Sequence, residues 1–141
     1  MFQRILIATD GSSFAAGAAA LAVKLASSLG AELVALTVEM EFPAYLFSEV
    51  EVRHAEQALQ KRSGEILTEV TEMARQANVP CKTQSIAHEA PFRAILDAAA
   101  AEGCDIIVMG SHGRGGLASL VLGSVTQKVL ANTSLPVLVS R

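Results

Sequence analysis

The chain alternates along its length between short apolar runs and longer segments of helical period. Runs of strand length occupy residues 4–8, 32–38, 105–109 and 136–139, and a more polar one occupies 81–86. An uninterrupted apolar strand needs cover on both faces. Strands separated by helices pair in parallel, because a crossover returns the chain to the same end of the sheet. The pattern predicts a doubly wound, Rossmann-like α/β fold with a five-stranded parallel sheet and four helices, formed by residues 1–141 as a single domain.

The connections carry their own signals. Residues 13–29 are Ala-rich, with Leu21, Leu25 and Leu29 at four-residue spacing, Ser12 or Ser13 as N-cap and Gly30 beyond the end. From Val52 the apolar positions Ala55, Leu59, Ile66, Val70, Met73 and Ala77 step by threes and fours, interrupted by Ser63, which describes one long amphipathic helix. Its Glu-rich face reads as solvated surface. Pro91 opens a third helix that closes before Gly103, and a fourth spans about 123–131. Pro80 and Pro136 precede the third and fifth strands, and Lys82, Thr83, Gln84 and Ser85 have the polar character of an edge. The strand order 3-2-1-4-5 follows, and its winding reverses between strands one and four. Ligands on such sheets bind there, outside the carboxyl ends of the strands.

Composition narrows the function classes. Half the residues are hydrophobic (51%), carried by Ala, Val, Leu and Ile with no Trp. The charge-free stretches fall short of the roughly 18 apolar residues of a membrane span, and the first apolar run ends in Asp10 rather than at a small-residue cleavage site. A cytoplasmic location is expected. A formal net charge of −3 offers nucleic acid no general attraction. Cys81 and Cys104 lack metal-ligand spacing and read as reduced structural thiols.

The chemistry concentrates at the reversal. Strand one ends in Ala8, Thr9 and Asp10; strand four ends in Met109, Gly110, Ser111, His112, Gly113 and Arg114. Any one of these glycines could merely build a turn, and Ser124 could be an ordinary N-cap. Together, glycine backbone N–H groups and the helix start at Gly123 and Ser124 form a phosphate cradle. The hydroxyls of Ser124 and Thr126 are available as further donors. Asp10 suits ribose hydroxyls, or caps the first helix. Residues 113–118 match G-x-G-x-x-A formally, yet they follow strand four and too little chain remains for an acidic-tipped strand, so a nicotinamide dinucleotide is rejected. No G-x-x-x-x-G-K-S/T occurs.

Gly110, two residues, Gly113, nine residues, then Gly123 and Ser124 resembles the nucleotide motif of the universal stress protein family. The similarity continues through Val125 and Thr126 to Pro136, Val137, Leu138 and Val139, and covers the whole chain. Ala8 stands where similar members carry Pro or Ala. The run Ile86, Ala87, His88, Glu89, Ala90, Pro91 departs from the family's Gly followed by a small residue or Pro. The resemblance implies an ATP-binding stress-response protein: adenine against Val38 at the end of strand two, ribose on Asp10, phosphates on Gly110, Gly113, Gly123 and Ser124. It also implies a homodimer formed through the fifth-strand segment Pro136, Val137, Leu138, Val139, Ser140 and Arg141, an otherwise unpaired edge.

Other residues leave alternatives open. His112 could touch a phosphate or act as acid or base, and Arg114 could pair with phosphate or stay solvated. No base is evident, so binding is expected ahead of turnover, with slow ATP hydrolysis or an empty interaction module as the competing functions. Mg²⁺ stays open because the loop assigns no metal ligands. His88 beside Glu89 reads as a loop histidine. Residues 40–47 form either a lid or core packed on the long helix.

Overall fold

The computed structural model describes residues 1–112 and 122–141. Its elements run β1 (Arg4–Ala8), α1 (Ser13–Leu29), β2 (Glu32–Glu39), a single 3₁₀ turn (Ala44–Leu46), α2 (Glu49–Gln76), β3 (Cys81–Ala87), α3 (Pro91–Ala101), β4 (Ile106–Gly110), α4 (Ser124–Asn132) and β5 (Val137–Ser140). The five strands form one parallel sheet in the order β3-β2-β1-β4-β5. The expected fold, strand order and edge strands are those observed.

Period-two alternation divides the core. Ile5, Ile7, Leu33, Ala35 and Val108 face α1 and α2, where they meet Ala18, Ala22, Leu67 and Val70. Leu6, Val34, Leu36, Ile107 and Met109 face the other way, onto Ile95 and Ala98 of α3 and Val129 of α4. Each central strand residue is therefore buried whichever side it takes, which is why these runs are continuously apolar.

Local chemistry sets the helix ends. Ser12 is the N-cap of α1, its Oγ accepting from the Ala15 N–H at 3.2 Å. The long helix begins three residues before Val52, because Ser48 and Glu51 form a capping box: Ser48 Oγ accepts from the Glu51 N–H, and the Glu51 carboxylate from the Ser48 N–H. The Ser48 backbone N–H first, and then the Ser48 hydroxyl, hold the Glu51 carboxyl below its ordinary range. The helix ends where Asn78 turns left-handed (φ 57°) and the Val79 N–H returns to the Ala74 carbonyl. Residues 40–47 are not core: Tyr45 and Leu46 stand exposed, while Phe42 and Phe47 stack at 5.0 Å.

Gly110 ends β4 with its backbone against α1. A Cβ there would lie 3.0 Å from the carbonyl carbon and oxygen of Phe14. The need for glycine at this position thus comes from the approach of α1, made close by an inner face of Ala15, Ala18, Ala19, Ala22 and Ala26. Gly110→Ala should lower unfolding stability by about 1–3 kcal/mol, measured by urea denaturation, since backbone cannot withdraw as a flexible side chain would. A second expectation concerns Cys104, whose thiol burial pushes up to about 11 from an ordinary 9.0. Below the ordinary value both states hold the proton. Above it the unfolded chain ionises first, so stability falls as pH rises toward the folded value. Cys104→Ala should make the melting temperature less sensitive to pH across that window.

Candidate functional site

β1 pairs with β2 on one side and with β4 on the other. α1, which follows β1, packs on one face of the sheet and α4 on the opposite face, and a cleft opens between their starts. Its volume is about 520 Å³, within the usual range for small-molecule sites. β1 contributes Ala8 and the turn after it Thr9 and Asp10; β2 contributes Leu36, Thr37, Val38, Glu39 and the following Met40; the β4 side contributes Met109, Gly110 and His112. Gly123, Ser124, Val125 and Thr126 form the wall at the start of α4. Every residue expected from sequence that falls among the described residues lines this cleft. Gly113 and Arg114 lie outside them.

The lining also includes Leu59, Arg62 and Ser63 of α2 and Pro91 and Ile95 of α3, none of which had been assigned to a site. Ser63 carried a signal, as the polar residue interrupting an apolar stripe. Arg62 carried none, because on sequence alone it belongs to a solvated helix face.

The floor is held by backbone pairing. The Thr9 N–H donates to the Leu36 carbonyl at 2.9 Å, and Thr9 Oγ1 accepts from the Gly11 N–H. Gly11 adopts φ 79°, and a Cβ on it would press to 2.9 Å from Ile66 of α2, so both conformation and packing select glycine. Asp10 Oδ1 accepts from the Ser12 N–H at 2.9 Å, which turns the chain into α1.

The α4 wall differs from expectation in one respect. Thr126 is buried, and its Oγ1 donates to the Gly110 carbonyl at 2.9 Å. That proton ties α4 to β4 and is not offered to a ligand. The first turn of α4 has no side-chain cap: Gly123 is its N-cap, and the Gly123 N–H donates to the Ser111 carbonyl at 2.7 Å. The positive end of the helix therefore faces the cleft without a capping oxygen.

His112 is buried beside this wall. Its ring packs on Phe14 with centroids 5.1 Å apart, and Nδ1 lies 3.1 Å from Ser111 Oγ. Nε2 has no hydrogen-bond partner among the described residues, at a desolvation cost of roughly 1–3 kcal/mol. His88 has a structural role: its Nδ1 accepts from the Ala90 N–H at 2.8 Å in the turn into α3. Among the described residues no group of three or more His, Cys, Asp or Glu side chains could hold a metal ion, and no helix is long and apolar enough to cross a membrane.

The model of the Universal stress protein family matches residues 1–141, and the chain belongs to this family. It is 39% identical over 145 residues to a universal stress protein of Thermus aquaticus, with both chains fully covered. Among solved structures it is similar to MJ0577 of Methanocaldococcus jannaschii, with a TM-score of 0.81 and 28% identity over 99% of this chain and 96% of that one. The fold is shared with a universal stress protein solved with cAMP (TM-score 0.71, 24% identity, 99% and 97% covered). It is shared as well with one from Archaeoglobus fulgidus solved with dAMP (TM-score 0.61, 17% identity, 100% and 98% covered).

Replacing Thr126 by Val should cost about 1–3 kcal/mol of stability, because it strands the buried Gly110 carbonyl. Urea denaturation with Thr126→Ser as control checks this; the serine variant, which keeps the donor, should lose less.

Proposed function

We propose that this chain is an adenine-nucleotide-binding regulatory module whose preferred ligand is ATP. The observation that carries the reading is the buried, unpartnered His112 Nε2 on the cleft wall, next to an uncapped helix N-terminus. An anion with acceptor oxygens answers both: it accepts a hydrogen bond from the imidazole Nε2–H and lies on the positive end of α4. Phosphates of a nucleotide have this chemistry. In this reading Gly113 and Arg114 complete the phosphate contacts together with Gly123 and Ser124. Asp10 accepts from the ribose, and Val38 flanks the adenine. The adenine-nucleotide complexes of two proteins with this fold support the choice of base.

Occupancy rather than turnover is the proposed signal. The cleft supplies a binding wall and no assigned base, and the reading places the protein in the cytoplasm as a dimer through β5. In the parallel sheet β5 pairs with β4 and its outer edge suits a second copy. Mg²⁺ would enter with the phosphates, as no described cluster holds it alone.

Three measurements test this. Denatured protein should release an adenine nucleotide, or, if purified empty, should gain about 2.7 kcal/mol of stability when ATP is present at a hundred times its Kd. His112→Phe keeps the ring on Phe14 and removes the nitrogen, so ATP affinity should fall about tenfold while calorimetry shows the fold retained. Absence of both released nucleotide and ATP-induced thermal shift would overturn the proposal.

A further inference from the structure

We propose that Glu39 reads the base of the bound nucleotide, accepting a hydrogen bond from the exocyclic amine of adenine and rejecting a carbonyl at the same place. This inference rests on the nucleotide reading above and deepens it.

Placement comes from the sheet. His112 and Gly123 lie at the β4 end of the cleft, and Glu39 is the last residue of β2. β1 lies between them, so the two ends are separated by two strand spacings, roughly 10 Å. A nucleotide with its phosphates on α4 extends its base across β1 toward β2 and α2. There the cleft is walled by Val38, Met40 and Leu59, which suit the faces of a base, together with the polar Glu39, Arg62 and Ser63.

Glu39 is held for this task. Ser63 is buried on α2, and its Oγ donates to Glu39 Oε1. Ser85 Oγ of β3 stands 3.5 Å from the same oxygen. Both serines address Oε1, and no described residue donates to Oε2, so the carboxylate is oriented on one side while the other remains able to accept. An ionised carboxylate accepts and never donates. An amino group complements it, whereas the lone pairs of a carbonyl oppose it. Arg62 precedes Ser63 on α2, and its guanidinium reaches within 4.0 Å of the Cβ position of Gly11. Its positive charge offsets that of Glu39 and Asp10 where a polyanion must enter.

Purine riboside triphosphate differs from ATP only in lacking the 6-amine and keeps N1 as an acceptor, so isothermal titration of the full chain with each isolates this contact. The wild type should prefer ATP on the order of tenfold or more, the range for a hydrogen bond to a charged group. Glu39→Gln keeps an acceptor for Ser63 yet offers the base both a donor and an acceptor, and should bring the two affinities to within about threefold. Equal affinities in the wild type would overturn the inference without reference to any variant, and an undiminished ATP preference in Glu39→Gln would assign the discrimination elsewhere. Binding of neither nucleotide by the wild type would remove the nucleotide reading itself.

Discussion

The site depends on how β1 is paired. Flanked by β2 in register Arg4↔Glu32 and by β4 in register Ile5↔Ile106, β1 is buried on both faces and both edges. That burial requires α1 to lie close over the sheet, which the alanine face and Gly110 permit. With α1 seated on one face of the sheet and α4 on the other, a cleft is left between their starts. No separate device is needed to create it. The same packing carries Phe14 against His112.

Within that cleft the polar groups divide into those satisfied by the fold and those left over. Thr126 and Ser63 are spent internally, one joining α4 to β4 and the other orienting Glu39. His112 Nε2 and the start of α4 are not satisfied in this way. A buried donor or acceptor without a partner subtracts from stability, and such a deficit at the wall of an open cleft is where a ligand's binding energy can be recovered. Local stability and readiness to bind are opposed at these atoms.

The architecture was legible to a large extent. Continuous apolar runs, Gly30 after α1, Pro91 at the start of α3 and the prolines before the outer strands led to the observed order. The capping box of α2, Ser48 with Glu51, was missed because the helix was traced from the apolar period that begins at Val52, inside its first turn. For the cleft, the residues adjoining strand ends and glycines were found, as they follow from topology. Leu59, Arg62 and Ser63 were not, because they reach the cleft only by the path of a 28-residue helix across the sheet.

Sequence alone determined the order of strands and helices and where the winding reverses, since hydrophobic period and end-capping residues act locally along the chain. Tertiary structure decided what individual polar atoms do. It gave the Thr126 hydroxyl to a carbonyl 16 residues earlier, made the glycine at 110 a requirement of α1, and brought Ser63 to Glu39. Those assignments are set by distances between elements remote in sequence, and no local period encodes them.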